Sequence, residues 1–306
     1  MAKARALDKR RKSVKNIRKI TRTMELIANA RFKKAMDRAT AATAYTNRIT
    51  KLVRDLAQSG AEVKHPLLEP HAEVKHVRLL VLTANRGLCG GYNGSVIRLA
   101  QDRYRQLTGE FPEVAIEMSG KRGISAFRYR QIPVAVTYTQ FEDKPSFDEV
   151  DRLATQYLED YILGKLDRLE VVYTQFRTIA KQTAVVETLL PLASLDAGTP
   201  EAAGSGAVAG AGAGAAKAGE SMYEFIPSAA SILQEVVPTS FKTKLFKCFL
   251  DAAVSEQVAR MVAMKAATEN AGDLIRSLSL TYNRARQSQI TGEIMEIIGG
   301  VEALNK

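Results

Sequence analysis

The residues with the clearest potential for chemistry lie in a glycine-rich segment, Asn85 to Gly94, which follows a short apolar run. A glycine-rich turn between a strand and a helix is a common setting for a phosphate group held at a helix N-terminus. The glycine spacing, however, matches neither G-x-G-x-x-G nor a P-loop, because no Gly-Lys-Ser or Gly-Lys-Thr follows. We therefore expect a tight structural or docking turn, with nucleotide binding as the weaker interpretation.

Cys89 stands within this segment, just before the expected helix, where a helix N-terminus favours the thiolate form. A nucleophilic cysteine also needs a base, and no histidine is close to it in the sequence. A small residue in a turn is the favoured interpretation. The chain has two cysteines, Cys89 and Cys248. This number argues against a fold held by disulfide bonds and fits a protein of a reducing compartment.

The histidines are His65, His71 and His76, all in one stretch that also contains Pro66 and Pro70. Histidine is a common metal ligand, but no cysteine and few well-spaced carboxylates accompany these three. Solvated histidines in a loop are the expected outcome, and we predict no metal site and no cofactor.

Positive charge is concentrated at the N-terminus. Residues 1–57 hold 17 Lys and Arg and four acidic residues, a net charge of +13, whereas the whole chain carries +11. A basic helix of this kind could bind nucleic acid, acidic lipid or acidic loops of a protein partner. Its basic residues fall on many helical faces and few aromatic residues accompany them, which weakens the interpretation as a nucleic-acid interface.

Long helices are predicted at both ends of the chain to position these groups. The first 58 residues contain neither proline nor glycine and predict one helix that ends before Gly60. One face has apolar or small residues at alternating spacings of four and three, as in a coiled-coil seam. The members of this face are Val14, Ile17, Thr21, Met24 and Ala28.

The C-terminal helix is expected to begin near Pro238, because Thr239 and Ser240 are good N-cap residues, and to run to about Val301. Its seam has the same 4,3 spacing and is rich in polar and small residues. The seam positions are Leu250, Val254, Gln257, Met261, Met264, Thr268, Ala271, Ile275, Leu278, Tyr282, Ala285 and Gln289. Beyond them a separate apolar tip extends from Ile290 to Val301, which one partner helix need not cover.

Between the two helices the pattern alternates strand and helix, which predicts an α/β domain with a largely parallel sheet. Strands are predicted at 77–83, 114–118, 134–138 and 169–173, and an edge strand at 183–189. Helices are predicted at 95–107, 123–129, 147–163 and 228–236. Residues 197–220 are dominated by alanine and glycine and predict a flexible loop. No apolar run is long enough for a membrane span.

Three separated motifs resemble the gamma subunit of F-type ATP synthases, the bacterial type of central rotor stalk. The first is Ile17 to Ala28, the second is Asn85 to Gly91, and the third comprises Ser255 to Ala271 together with Tyr282 to Thr291. Their order along the chain is also that of the family. The resemblance covers nearly the whole chain except about residues 197–221.

The resemblance implies a long antiparallel coiled coil of N- and C-terminal helices with a Rossmann-like α/β domain. It divides the chain into a helix at 1–60, an α/β domain at 76–195, an insertion at 196–222 and a helix at 228–306. It further implies a non-catalytic rotor shaft that couples proton-driven rotation of a c-ring to ATP synthesis and hydrolysis. The implied partners are three alpha and three beta subunits, an epsilon subunit and the c-ring. The chain would then lie on the cytoplasmic face of a bacterial inner membrane, attached through the c-ring.

Several positions carry expected roles through the same resemblance. Contacts with the beta subunits are expected at Met24, Arg260, Arg286, Gln287, Thr291, Glu293 and Glu296. A docking loop near the catalytic ring is expected at Arg86, Gly87, Cys89 and Gly90, and a foot on the c-ring and epsilon subunit at Tyr223, Glu224 and Phe225. Arg286 and Gln287 are expected to face a packed seam beside Ala285. With no catalytic triad or fitting phosphate loop in the sequence, the alternatives are a basic coiled-coil nucleic-acid-binding protein and a small α/β enzyme with helical arms.

Overall fold

The structure, a computed structural model, describes residues 2–58, 66–68, 70–141, 144–192 and 229–304. The five helices within these ranges are α1 (Ala2–Gln58), α2 (Tyr92–Glu110), α3 (Lys121–Tyr129), α4 (Phe147–Ile162) and α5 (Ala229–Leu304). The five strands are β1 (His76–Leu82), β2 (Glu113–Ser119), β3 (Val136–Tyr138), β4 (Arg168–Phe176) and β5 (Gln182–Leu190). Each strand predicted from the sequence is present, so the prediction of a mixed α/β fold with long terminal helices is confirmed.

The strands form one sheet in the order β3-β2-β1-β4-β5. The first four are parallel, and β5 pairs antiparallel with β4 at the edge. This order turns back at β1, because β2 and β3 lie on one side of it and β4 and β5 on the other. In open α/β sheets, ligands bind in the crevice at the carboxyl ends of the strands where the order reverses.

Alternate side chains of β1 enter separate cores on the two faces of the sheet, as expected for a strand buried on both sides. Leu79 and Val81 pack with α2 and α3, where Phe127 is fully buried. Leu80 and Leu82 pack with α4 and with the first turns of α5. Helix α5 is therefore part of the α/β core as well as of the long helical pair.

Helices α1 and α5 pack as an antiparallel pair, which is the arrangement that the two sequence seams predict. The Thr268 hydroxyl donates to the Thr21 hydroxyl at 2.9 Å, and Ala39 clusters with Leu250 farther along. Every predicted seam position of α5 is buried or half-buried. The prediction that Ile17 belongs to the seam was wrong. Ile17 is 51% exposed because it lies beside the seam, and it is the Arg18 side chain that lies against Gly272 of α5.

Helix α5 begins at Ala229 and continues through Pro238, whereas the sequence predicted a new helix at that proline. A proline within a helix removes one backbone N–H and usually bends or breaks it. The carbonyl that loses its amide partner here belongs to Gln234, which is exposed, and the next carbonyl, that of Glu235, accepts from the Thr239 hydroxyl at 2.7 Å. Burial of Val237 and Phe241 in the α/β core holds both sides of the proline in one helix.

The end of α5 projects beyond its partner. The pairing of Thr21 with Thr268 sets the first residue of α1 level with about residue 287, so roughly the last 17 residues of α5 extend alone for about 25 Å. All side chains described from Ile290 to Val301 are exposed, including those of Ile294, Ile297 and Ile298. The predicted apolar tip is therefore a single uncovered helix.

Candidate functional site

The glycine-rich loop between β1 and α2 packs directly on α5. Ala84, Cys89 and Tyr92 form a small buried cluster with Ala259 of α5. Gly90 has a positive φ of 55°, and a Cβ atom at this position would lie 3.7 Å from the Cβ of Ala263. The positive φ, which glycine adopts without strain, explains why glycine stands here. The turn is tight, as predicted, and within the described chain it packs on α5.

Two asparagines fix the shape of this loop. The Asn93 side chain accepts a hydrogen bond from the Ala84 amide at 2.9 Å and directs its own amide toward the Cys89 sulfur at 3.1 Å. The Asn85 side chain accepts from the Lys121 amide at 3.0 Å and donates to the Phe141 carbonyl at 3.1 Å. The loop is thus tied to α2, to α3 and to the segment after β3.

Helix α5 fills the crevice where the strand order reverses. Ser255 is fully buried, and its hydroxyl donates to the carbonyl of Thr174 at the end of β4, at 3.1 Å. The Tyr92 hydroxyl donates to the Ala252 carbonyl at 3.2 Å from the other side of the crevice. The position in which related sheets hold a nucleotide is therefore taken by the chain's own helix, which disfavours the nucleotide-binding interpretation of the glycine-rich loop.

The environment of Cys89 is that of a structural thiol. Its side chain is 2% exposed, and burial together with the nearby Glu256 carboxylate raises the pKa of the thiol above its ordinary value. A thiol held in its protonated form is a poor nucleophile. Cys248 is also 2% exposed, and burial raises its pKa as well.

Arg260 connects the loop with the helical pair. Its guanidinium forms a salt bridge with Glu256 one turn earlier and approaches the Gly87 carbonyl at 3.5 Å. Both charged residues are less than a tenth exposed. One guanidinium nitrogen of Arg260, Nη1, is buried without a hydrogen-bond partner among the described residues. Arg260 is thus a buried structural cation. Arg86, which precedes Gly87 in the sequence, is exposed.

A basic groove of about 1190 Å³ lies between α1 and α5, on the side of Thr268 away from the α/β domain. Two acidic residues, Glu269 and Asp273, also line it. The five basic side chains along it are Lys15, Arg18, Lys19, Arg22 and Arg276. The excess of positive charge that the sequence places in the N-terminal helix is therefore partly gathered into one concave surface.

The other expected contact residues lie along the pair and its extension. Met24 is half-buried in the seam, one turn from Thr21. Arg286, Gln287, Thr291, Glu293 and Glu296 are all exposed. The expectation that Arg286 and Gln287 face a packed seam was wrong. Helix α1 begins level with them, and beyond this point no other described helix packs on α5. The Gln289 amide donates to Glu293 at 2.8 Å within the same helix.

His71 and His76 both contact one carboxylate while remaining partly exposed. His71 Nδ1 lies 2.6 Å from one oxygen of Asp167, and His76 Nδ1 lies 3.3 Å from the other. The backbone amides of Lys75 and His76 also donate to Asp167. These bonds and the nearby His71 lower the pKa of the Asp167 carboxyl to about 2, although burial alone would raise it. His65 lies outside the described residues.

Some expectations fall on parts of the chain that the structure does not describe. Tyr223, Glu224 and Phe225 lie within 193–228, as does the whole Ala/Gly-rich segment. Among the described residues, no group of three or more His, Cys, Asp or Glu side chains is arranged to hold a metal ion. Within the same ranges, no helix combines the length and apolar character that crossing a membrane requires.

Sequence reasoning missed Tyr92, Ser255 and Glu256, which join the α/β domain and the loop to α5. A Glu four residues before an Arg on a helix is a recognisable ion-pair pattern, so the pairing of Glu256 with Arg260 could have been found. The roles of Tyr92 and Ser255 have no local signal, since their partners lie 160 and 81 residues away in the sequence.

Comparison with known proteins agrees with this geometry along the whole chain. The sequence profile of the family described as ATP synthase matches residues 3–304. The ATP synthase gamma chain of Rhodopirellula baltica is 62% identical over 305 residues, which cover 99% of each chain. The chain belongs to the family of ATP synthase gamma chains. The gamma chain of Leptospira biflexa is 36% identical over the full length of both proteins.

A solved structure shows the same fold at lower sequence similarity. A chain of the Euglena gracilis mitochondrial ATP synthase, in an assembly of OSCP, F1 and c-ring, superposes with a TM-score of 0.63 at 20% identity. The match covers 99% of this gamma chain and 95% of the Euglena chain. The paired terminal helices and the α/β domain are therefore the family architecture.

Proposed function

We propose that this gamma chain is the central shaft of an F-type ATP synthase. It passes rotation from a proton-driven c-ring to the ring of three alpha and three beta subunits that makes and hydrolyses ATP. The chain itself is not catalytic. It works with an epsilon subunit at the c-ring, on the cytoplasmic face of a bacterial inner membrane, and its attachment to that membrane is indirect. The proposed regions are the helix at 1–60, the α/β domain at 76–195, the insertion at 196–222 and the helix at 228–306.

The observation that carries this proposal is the shape of α5. At 76 residues it is about 114 Å long, packs in the α/β domain at one end and extends alone at the other. The exposed apolar tip has no partner among the described residues and is the kind of surface that an apolar sleeve would cover. Apolar contacts without directional bonds have similar energies at many angles, which suits a tip that turns in its socket.

The basic groove supports contact with the beta subunits. Five cations along one concave surface favour an acidic loop of a protein partner, and a mixed groove with Glu269 and Asp273 suits a loop more than a uniform polyanion. Met24 lies between this groove and Arg260. Farther along, Arg286, Gln287, Thr291, Glu293 and Glu296 are exposed and free to make directional hydrogen bonds with a beta subunit.

The crevice filled by α5 supports a mechanical rather than an enzymatic role for the α/β domain. The crevice at the carboxyl ends of its strands holds α5 and so attaches the domain to the shaft. The raised pKa of the Cys89 thiol keeps that group protonated. Tyr223, Glu224 and Phe225 remain our candidates for the foot. The nucleic-acid-binding alternative is favoured by no contact or comparison found for this chain.

Reconstitution tests the proposal. Alpha and beta subunits from the same organism are assembled with this chain, and a bead is attached through Tyr129→Cys, a position on the α/β domain that is 89% exposed. We expect no ATP hydrolysis by the chain alone, hydrolysis by the assembly, and rotation of the bead in one direction. Hydrolysis by the isolated chain, or an assembly whose bead does not rotate, would contradict the proposal.

A further inference from the structure

The α/β domain is attached to the shaft through one helix. Buried hydrogen bonds cross from the carboxyl ends of β1 and β4 to α5, through Tyr92 and Ser255. Both side chains are buried, with Tyr92 7% and Ser255 0% exposed. Burial raises the pKa of the Tyr92 hydroxyl well above its ordinary value, so the group remains a hydrogen-bond donor.

The loop before α2 adds a close apolar contact on the same segment of α5. Gly90 lies over Ala259 and Ala263, and Cys89 packs with Ala259. The segment from Ala252 to Ala263 therefore accepts a hydrogen bond from Tyr92, donates one through Ser255 to the end of β4, and packs against Cys89 and Gly90 of the loop. Helix α1 packs along the other side of α5, and its Phe32 reaches the sheet at Phe176, with ring centroids 6.4 Å apart.

We propose that this contact is a rigid joint through which the α/β domain drives α5, and that Tyr92 and Ser255 are the residues that position it. The inference rests on the proposed function, since a joint of this kind matters only in a chain that turns under load. Force applied to the α/β domain reaches α5 through the apolar core at residues 237–249 and, beyond it, through the joint at residues 252–263. Helix α1 follows because it is packed on α5.

The first experiment loosens the joint in the assembled ATP synthase in membrane vesicles. Tyr92→Phe and Ser255→Ala each remove one hydroxyl and keep the packing, and the double variant removes both. Loss of the Tyr92 bond should increase amide hydrogen exchange in residues 84–92 by roughly 2- to 10-fold, and loss of the Ser255 bond should do the same at the end of β4. ATP hydrolysis should persist, while proton pumping per ATP hydrolysed should fall.

Matched controls remove the same groups elsewhere. Ser279→Ala deletes a hydroxyl on α5 that bonds within its own helix, to the Ile275 carbonyl at 2.7 Å. Tyr129→Phe deletes an exposed phenol on the α/β domain. Both controls should pump protons as the native complex does.

The second experiment restores the joint covalently. In a background with Cys89→Ala and Cys248→Ala, Gly90→Cys and Ala263→Cys form a pair whose Cβ separation of 3.7 Å fits a disulfide. Gly90→Cys alone controls for strain, because Gly90 has a positive φ. Added to Tyr92→Phe with Ser255→Ala, the oxidised pair should return proton pumping to the native ratio, and reduction should abolish the rescue.

The outcomes separate this inference from the proposed function. Rescue on oxidation, with native pumping when the disulfide stands alone, supports a rigid joint. Native coupling in the double variant would overturn the assignment of Tyr92 and Ser255. Inhibition by the disulfide alone would show that the contact must open and would overturn rigidity. If the native chain neither assembles nor supports pumping, the proposed function fails instead.

Discussion

At the scale of single residues, the chain holds charge in its interior where partners surround it. Glu170 is fully buried and accepts from Arg103 and Arg168, each at 2.7 Å. Glu117 is 3% exposed and accepts from the hydroxyls of Tyr138 and Tyr157. Arg260 and Glu256 follow the same rule at the junction of loop and shaft. Removing a partner of a buried charge takes away contacts that compensate for its lost hydration, which costs more than removing an exposed ion pair.

We therefore expect Arg260→Ala to lower the free energy of unfolding by about 1.5–3 kcal/mol, because the buried guanidinium loses its charge-assisted hydrogen bond to Glu256 and its contact with the Gly87 carbonyl. Urea unfolding followed by circular dichroism measures the change. Arg276→Ala is the matched control: its side chain is 85% exposed, its distance to Asp273 is 3.6 Å, and its removal should cost less than about 1 kcal/mol. Equal effects of the two substitutions would contradict the buried-pair interpretation.

Asp251 should make stability depend on pH. It is 4% exposed between α5 and the sheet, near Lys244, Lys247 and Cys248 of its own helix, Tyr173 of β4 and Glu187 of β5. Burial, opposed by Lys247 and reinforced by Glu187, raises the pKa of its carboxyl to about 7. The folded chain thus binds a proton that the unfolded chain releases near pH 4. Stability should fall as pH rises from about 4 to 7 and then level off.

Asp251→Asn removes this dependence. A difference of about three pKa units corresponds to roughly 4 kcal/mol at most, so the variant should gain stability relative to the native chain between pH 5 and pH 8. Urea unfolding at the two pH values gives the comparison, and Asp273→Asn, with a 75% exposed side chain, is the control. Parallel changes of native and variant stability with pH would show that Asp251 is ionised in the folded chain.

At the scale of elements, the seam between α1 and α5 contains a polar position that is not satisfied. Gln257 is 1% exposed, and neither its amide nitrogen nor its carbonyl oxygen has a hydrogen-bond partner among the described residues. An unpaired buried amide costs about 1–3 kcal/mol. A buried polar residue in a seam favours one register of the helical pair and lowers the stability of the pair.

We expect Gln257→Leu to raise the free energy of unfolding by about 1–2 kcal/mol, since leucine adds apolar contact and removes the unpaired amide. Thermal unfolding of native and variant chains measures it. Gln289→Leu, at a half-buried seam position whose amide already bonds Glu293, should change stability much less. A destabilised Gln257→Leu variant would indicate that the amide binds a group such as buried water.

The elements themselves were predictable because their signals are local. Apolar runs such as Val77 to Val81 and the 4,3 spacing of the two seams determine strands and helices within a few turns of chain. The continuity of α5 through Pro238 was not predictable from the local pattern, because the core around Val237 and Phe241 overrides the proline. The exposure of Gln287 depends on where α1 begins, and the joint at Ser255 depends on a strand 81 residues away. Both are properties of chain packing that no local pattern encodes.

At the scale of the whole molecule, the chain is one long helix with everything else attached along it. The α/β domain packs on its first half, α1 pairs with it through the middle, and its last turns extend alone. An object of this form can transmit rotation along its axis while presenting different surfaces to partners around it. Because the partners of a shaft meet each surface in turn, their conformations can be shifted one after another by differential contact.

The most direct measurement of this claim is a reversible crosslink between the shaft and one beta subunit. Gln287→Cys is exposed on α5, and a cysteine is placed in the facing loop of beta; Val262→Cys, 55% exposed where α1 and α5 are paired, provides a second site. The native thiols are 2% exposed and should not compete. A rotating shaft predicts that oxidation stops repeated ATP hydrolysis, that nucleotide binding persists, and that reduction restores turnover. Full turnover in both oxidised forms would show that the chain is a static connector.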